Sequence, residues 1–168
     1  IESEMTVDEC IADLAAIIDS LSTGAVHFCG ESLGGILGLG LAAQFPDKVK
    51  TLTLVATPVA SSKYVRQVYA FEHGSRIEAM RKMGIKEWVN ATNRKTRFPP
   101  DTDIGLLDWY AAEFEKGDPE VIFRMAEMVN GANAAPYLER VKSPVLGLYP
   151  RSGGKDTDLE QEQLLLTK

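Results

Sequence analysis

The chain has 168 residues, of which 45% are hydrophobic and 25% are charged, as is usual for a folded globular protein. This length suits one domain with a buried core, so the composition excludes an intrinsically disordered chain. The net charge of −6 argues against a nucleic-acid partner, because binding to a phosphate backbone requires a basic surface. No run of about 18 apolar residues occurs, so the sequence predicts neither a membrane-spanning helix nor a membrane partner.

The cysteine count and the first residues bear on the compartment. Cys10 and Cys29 are too few for a disulfide framework, and reduced thiols are typical of intracellular proteins. The acidic first residues do not resemble a signal peptide, so we expect a cytoplasmic protein. The chain begins with Ile1 rather than Met, which indicates that the natural N-terminus lies upstream.

Two kinds of binding site are not predicted. The two histidines and two cysteines are not clustered, so the sequence offers no metal-ligand set. The glycines are not followed by the Lys-Ser/Thr pair of a phosphate-binding loop. We therefore expect no cofactor and no metal.

The first 58 residues alternate between helical and strand patterns. Thr6 and Glu9 have the spacing of a capping box, which predicts a helix start. The elements predicted from here are a helix to Leu21, a strand Ala25–Cys29, a helix Leu33–Gln44 and a strand Thr51–Ala56. Strands that alternate with helices predict a parallel sheet covered on both faces, so the fold class is α/β.

The middle of the chain is predicted to be entirely helical, with no strand between Ser61 and Tyr137. The predicted helices are Tyr64–Phe71, Gly74–Met83, Lys86–Ala91, Ile104–Lys116 and Pro119–Val129. A third strand, Val145–Tyr149, precedes a loop and a helix over Leu159–Lys168. The chain thus divides into an α/β segment 1–58, a helical segment 59–137, and a return to the α/β core over 138–168.

The residue pattern that carries chemistry is Gly30-Glu31-Ser32-Leu33-Gly34, at the first strand-to-helix junction. A serine in a G-x-S-x-G pattern sits on a sharp corner between a strand and a helix, and the flanking glycines avoid collisions there. The predicted catalytic nucleophile is Ser32. The N–H of Leu33, at the positive end of the following helix, is the predicted oxyanion-hole donor.

This stretch resembles the α/β-hydrolase superfamily, in particular its lactonase, esterase and carbon–carbon hydrolase branch with a helical cap. Val26–Gly35 is similar to the family pattern V-x-L-V-G-x-S-x-G-G, Gln44–Val49 to x-x-P-x-x-V, and Val141–Leu146 to I-x-x-P-V-L. The resemblance implies that residues 59–137 form the cap. It also implies a serine hydrolase that acts through Ser32 on an ester, lactone or related small acyl compound.

The chain departs from the family pattern in three places. The oxyanion-hole motif that precedes the elbow is missing, and so is the catalytic His beyond a further helix and strand, as if both ends were truncated. The loop that should carry the catalytic acid has glycines at the expected place, which leaves Asp156 as the candidate acid. Asp158 is better explained as the N-cap of the last predicted helix. A non-catalytic α/β-hydrolase-like protein or fragment with a binding role is therefore the alternative.

The remaining polar and aromatic candidates have simpler explanations. His27 is expected inside the sheet, His73 at a helix end with pocket lining as the alternative, and Glu31 beside the elbow in a non-catalytic position. The cluster Arg94–Arg97 is expected to be a solvated loop, or else a contact for an anionic substrate. A set of aromatic residues is expected to pack within the cap rather than form a ligand cage: Trp88, Trp109, Tyr110 and Phe114.

The edge of the predicted sheet beside Ala25–Cys29 has no predicted neighbour. An unpaired strand edge invites pairing with another chain, so we expect copies to associate through it.

Overall fold

The computed structural model describes residues 5–149. The predicted loop and helix that follow, together with the candidates Asp156 and Asp158, lie outside the described residues. The described chain divides into two compact units. One, called the core unit, contains residues 5–61 and 131–149, and the other, called the helical unit, contains residues 62–130.

The core unit contains a three-stranded parallel sheet. Its elements in chain order are helix α1 (Val7–Leu21), strand β1 (Val26–Glu31), helix α2 (Leu33–Gln44), strand β2 (Val49–Val55) and strand β3 (Val145–Leu148). The strands lie side by side in the order β1-β2-β3 and both pairs are parallel. The prediction of three parallel strands flanked by helices is confirmed.

Local sequence accounts for the start of α1. The side-chain oxygen of Thr6 accepts a hydrogen bond from the Glu9 N–H over 3.1 Å, and the Glu9 carboxylate accepts one from the Thr6 N–H over 3.1 Å. This reciprocal pair is the capping box that the sequence predicts. The helix buries Ile11, Ala15 and Ile18, which are spaced to face the sheet.

Helix α2 lies close against the sheet because glycines replace larger residues on its inner side. A Cβ atom at Gly38 would come within 2.8 Å of the side chains of Leu52 and Phe28. Leu39 of α2 and Leu52 and Leu54 of β2 are fully buried. The hydrophobic core of this unit is therefore centred between α1, α2 and β2, directly beneath the elbow.

One face of the sheet is uncovered within residues 5–149. The side chains of His27 and Cys29 on β1 are exposed, and those of Leu146 and Leu148 on β3 are 55% and 49% exposed. The described helices of the core unit therefore cover the opposite face, whereas the sequence predicts cover on both.

The helical unit contains helices α3 (Lys63–Ala70), α4 (Arg76–Met83), α5 (Ile85–Thr92), α6 (Ile104–Glu115) and α7 (Pro119–Gly131). As predicted, no strand occurs in this unit. Its core is formed by Ala79, Met80, Trp88, Val89, Ala111, Ile122 and Ala126. In the described part of the chain, no helix has the length and apolar character needed to cross a membrane.

Two sequence expectations about the helical unit are wrong in part. Residues Asn93–Arg97 form a π-helical turn instead of a loop, and Arg97 is half-buried although Arg94 and Lys95 are exposed. Trp88, Tyr110 and Phe114 pack in the core as expected, but Trp109 is 59% exposed. Helical spacing cannot separate these cases, because α6 is apolar on more than one side.

Candidate active site

Ser32 forms the corner between β1 and α2. Its backbone torsions are φ 49° and ψ −114°, in the left-handed half of the map that residues with a Cβ atom rarely occupy. Such a conformation costs on the order of 1–3 kcal/mol and persists only where the surrounding structure enforces it. The sharp corner that the elbow motif predicts at this serine is therefore present, with an unusual backbone torsion.

Close backbone packing enforces the corner. A Cβ atom at Gly30 would collide with the carbonyl carbon and oxygen of Gly34 and lie 2.6 Å from the nitrogen of Gly35. A Cβ atom at Gly35 would in turn overlap the side chain of buried Thr57. At Gly34 no described atom lies within 4 Å of a Cβ position, apart from its chain neighbours and the adjacent backbone of its own helix. The expectation that both flanking glycines avoid collisions thus holds for Gly30 and is wrong for Gly34.

Hydrogen bonds between neighbouring strand ends hold Ser32 at the carboxyl edge of the sheet. The Ser32 N–H donates to the carbonyl oxygen of Val55 over 2.9 Å, and the Ala56 N–H donates to that of Leu148 over 2.9 Å. Ala56 also has a positive φ, 45°. Ligands of open α/β sheets bind at this edge, so Ser32 lies where a substrate is expected.

The hydroxyl of Ser32 is not used to cap α2, although serine is a preferred N-cap residue. The Ser32 carbonyl oxygen accepts hydrogen bonds from the N–H groups of Gly35 and Ile36, over 3.1 and 3.3 Å. The N–H groups of Leu33 and Gly34 have no hydrogen-bond acceptor among residues 5–149. The Ser32 hydroxyl and two N–H donors that are unpaired among residues 5–149 therefore lie at the positive end of a helix dipole.

The core unit brings no histidine of its own to Ser32. The Nδ1 atom of His27 lies 2.8 Å from the Thr51 hydroxyl, and the side chain is exposed on the edge strand β1 instead of lying inside the sheet as expected. His27 precedes Ser32 by five residues, which is roughly 16 Å along a strand. His73 belongs to the helical unit, where it lines a cavity. Glu31 is exposed at the end of β1.

The sequence reading missed one polar residue at this edge. Tyr149 follows the end of β3, and its hydroxyl is buried without a hydrogen-bond partner among the described residues. Burial raises the pKa of Tyr149 above its usual value, so the phenol is a neutral donor at physiological pH. The signal was available, since β3 is a predicted strand and its next residue falls at the carboxyl edge.

Metal chemistry has no visible support in the described part of the chain. Within residues 5–149, no three His, Cys, Asp or Glu side chains are grouped so that they could hold a metal ion.

Comparison with known proteins gives consistent matches. A family model described as the alpha/beta hydrolase fold matches residues 1–96. A pimeloyl-[acyl-carrier protein] methyl ester esterase of Neisseria meningitidis is 28% identical over 151 residues, covering 86% of this chain and 57% of the relative. A 3-oxoadipate enol-lactonase 2 of Acinetobacter baylyi is 23% identical over 155 residues, covering 83% of this chain and 51% of the relative.

Solved structures agree on the fold. A hydrolase from Pseudomonas aeruginosa has a TM-score of 0.76 at 20% identity, covering 98% of this chain and 60% of the other. An enol-lactonase from Burkholderia xenovorans has a TM-score of 0.66 at 22% identity, covering 99% of this chain and 63% of the other. The chain spans a little over half the length of the curated relatives it matches.

Proposed function

This chain belongs to the α/β-hydrolase fold family, and from that membership we propose that it carries the nucleophile of a serine hydrolase. The substrate class we propose is an ester, a lactone or a related small acyl compound. One observation carries the proposal: Ser32 holds a strained left-handed backbone at the sheet edge, yet its hydroxyl does not cap the helix it starts. A strained backbone at a residue whose side chain has no structural role is typical of a functional site.

The chemistry follows from the geometry of the corner. The Ser32 hydroxyl oxygen attacks the acyl carbon, its proton passes to a base, and the carbonyl electrons move to the oxygen. The Leu33 N–H, unpaired among residues 5–149, would stabilise that oxyanion. Collapse of this tetrahedral intermediate breaks the bond to the leaving alcohol, and the alcohol takes the proton from the base. Water then repeats the sequence and releases the acid.

A serine requires an adjacent base to attack at neutral pH. The ring of His27 is bound to Thr51 within the sheet, so the base must be another residue. Asp156 stays our candidate for the acid that orients this base. The role of residues 59–137 as a cap and the cytoplasmic location stay proposals of the same kind.

The names of the relatives support the substrate class. One is a methyl ester esterase and another is an enol-lactonase, and both names describe cleavage of a carboxylic ester bond. We propose the same bond type for this chain. The fold alone does not identify the substrate, because function depends on the site rather than on the scaffold.

The second candidate function is a non-catalytic binding protein with the same fold. It is favoured by the lack of a histidine beside Ser32 in the core unit. If the base is absent from these 168 residues, the chain by itself should have a kcat/KM below about 10⁴ M⁻¹s⁻¹, under the usual range of enzymes. A higher value for the chain alone would show that a base is present.

The test is ester and lactone hydrolysis by the gene product that carries these residues. Ser32→Ala should lower kcat/KM about 10³-fold or more, because the nucleophile is removed. Ser20→Ala is the matched control, since Ser20 donates only to the Ile17 carbonyl oxygen of α1, and it should stay within about two-fold of the native rate. Absence of hydrolysis in the native protein would favour the binding function.

We also propose that copies of the chain associate through the outer edge of β1. This edge has no partner strand among the described residues, and an open edge offers unpaired N–H and C=O groups. Analytical ultracentrifugation should show a mass that rises with concentration. A constant monomer mass up to about 100 µM would contradict association of this kind, because the dissociation constant would then lie above about 100 µM.

A further inference from the structure

The helical unit contains a cavity of about 580 Å³ that the proposed hydrolysis does not use. All the residues that line it belong to this unit, in α3, α4, the segment between them and the end of α7. Its volume lies within the range of small-molecule sites, which is roughly 300–1,000 Å³.

The lining of the cavity is cationic. The cations Lys63, Arg66 and Arg76 line it together with His73, and Glu72 is the acidic side chain on its wall. The chain as a whole carries a net charge of −6, so this excess of positive groups is local. A concave surface with one sign of charge concentrates ions of the opposite sign.

Lys63 and Arg76 form no ion pair with a carboxylate among the described residues. The ion pairs within 4 Å in the described part of the chain lie elsewhere: Lys48–Asp19, Lys86–Glu115 and Lys116–Glu113. The nearby Glu78 carboxylate instead accepts a hydrogen bond from the Gly74 N–H over 3.2 Å. The positive charges of Lys63 and Arg76 are therefore available to a ligand.

Arg76 is the most confined of these cations. Its guanidinium carbon lies 4.5 Å from the centre of the Tyr69 ring, and its Nε atom is buried without a hydrogen-bond partner. Burial is the main cause that lowers the pKa of Arg76, with Arg97 adding to it and Tyr69 opposing it. Arginine still stays protonated at neutral pH, so a buried donor remains unsatisfied. Such a group destabilises the fold unless a ligand or water binds it.

Arg97 makes the surroundings of Tyr69 more positive still. Its guanidinium lies 5.7 Å from the Tyr69 ring centre and donates to the Thr92 hydroxyl and the Asn93 amide oxygen. These neutral acceptors fix Arg97 without cancelling its charge. Arg76 and Arg97 therefore contact the same aromatic ring, and their positive charges repel each other. An anion beside Arg76 would reduce this repulsion.

Two further features of the cavity wall are typical of a binding site. Phe71 has a positive φ of 53°, a strained conformation for a residue with a side chain. The amide oxygen of Asn130 is buried without a hydrogen-bond partner. Phe71 and Ala70 also give the wall an apolar part. Cations, an unsatisfied acceptor and apolar surface thus line one cavity.

We propose that this cavity binds a small organic anion, with its carboxylate or phosphoryl oxygens on Arg76 and Lys63 and its apolar body against Phe71 and Ala70. The site lies within the helical unit and does not depend on the proposed role of Ser32. Arginine binds such oxygens through paired N–H donors, and lysine adds a point charge.

Calorimetric titration of the full 168-residue chain with three probes tests the site. Hexanoate carries the charge and the apolar body, hexanol carries the body alone, and inorganic phosphate carries the charge alone. At about 50 mM salt we expect saturable binding of hexanoate that weakens as salt is added, and no detectable binding of hexanol. Tighter binding of phosphate than of hexanoate would also support the site and would assign it to a phosphoryl group.

Charge-matched variants locate the binding. Arg76→Gln and Lys63→Gln should each weaken the anion at least about ten-fold, the loss expected for one charge-assisted hydrogen bond. Lys82→Gln removes an exposed cation of the same helix α4 that does not line the cavity, and it should leave the affinity unchanged. Lys63 is exposed, so its variant tests the site even where Arg76→Gln fails to fold.

Three results would overturn the proposal: no saturable binding of hexanoate or phosphate, equal affinity for hexanoate and hexanol, or equal losses in Lys63→Gln and Lys82→Gln. Ser32→Ala should bind the anion as the native chain does, so the outcome is independent of any result on hydrolysis.

Discussion

Gly30 lies so close to the carbonyl group of Gly34 that no Cβ atom fits between them. The end of β1 and the first turn of α2 are therefore in backbone contact, and this contact holds Ser32 in its left-handed conformation. The two glycines of the elbow differ in this respect, because a Cβ atom at Gly34 would meet no described atom within 4 Å beyond its chain neighbours and the adjacent backbone of α2.

The first prediction compares Gly30→Ala with Gly34→Ala. Gly30→Ala should destabilise the fold by about 1–3 kcal/mol or more and lower any hydrolytic activity, because backbone must move to admit the methyl group. Gly34→Ala should be neutral or stabilise by up to about 1 kcal/mol, because alanine favours helix over glycine. Urea denaturation measures both. Equal destabilisation by the two variants would show that the corner is not held by this contact.

The second prediction concerns the contact between α1 and α2. A Cβ atom at Gly40 would collide with the Cδ1 atom of Ile11, which is fully buried and cannot move aside freely. Gly40→Ala should therefore destabilise by about 1–3 kcal/mol. Ile11→Val removes that Cδ1 atom and should cost about 0.5–1.5 kcal/mol by itself.

The double variant Gly40→Ala/Ile11→Val separates this collision from a general loss of packing. Its free energy of unfolding should exceed the value expected from adding the two single losses, because the valine leaves room for the new methyl group. Strict additivity would mean that the close approach of Gly40 to Ile11 does not limit the position of α2.

The elements of the fold could be predicted from the sequence, but their environments could not. Short apolar runs at Ala25–Cys29 and Thr51–Ala56, separated by a helical pattern, are enough to predict a parallel pair. The exposure of Trp109 and the burial of Arg97 depend on which side of a helix meets its neighbours, and residue spacing does not carry that information.

The candidate site was predictable to the same extent. The motif identifies the corner and Ser32, because G-x-S-x-G requires a tight backbone turn between a strand and a helix. Which glycine is sterically required depends on atoms distant in sequence, such as the side chain of Thr57 against Gly35. The burial of the Tyr149 hydroxyl, which has no hydrogen-bond partner among the described residues, likewise depends on the three-dimensional structure.

The third prediction is that Tyr149→Phe leaves stability unchanged or raises it by up to about 1 kcal/mol at pH 7. The variant removes a buried hydroxyl that has no partner among the described residues. Burial raises the pKa of Tyr149 above the unfolded value near 10. Ionisation of Tyr149 is therefore less favourable in the folded state than in the unfolded state, so stability is unaffected by this group below about pH 10 and falls as pH rises through the folded pKa.

Stability of the native chain should therefore fall more steeply above about pH 10 than that of Tyr149→Phe. Thermal unfolding at a series of pH values compares them. Identical profiles would show that the Tyr149 hydroxyl titrates as it does in the unfolded chain. A large loss of stability in the variant at pH 7 would show that the hydroxyl has a partner outside residues 5–149.

Covalent trapping of the nucleophile tests the central claim most directly. The gene product that carries these residues is incubated with a fluorophosphonate ester, which phosphonylates an activated serine with loss of fluoride, and tandem mass spectrometry locates the adduct. We predict one adduct per chain, on Ser32, with loss of ester hydrolysis in proportion to labelling. An adduct on any other residue, or ester hydrolysis that continues in a fully labelled sample, would contradict the assignment of Ser32 as the nucleophile.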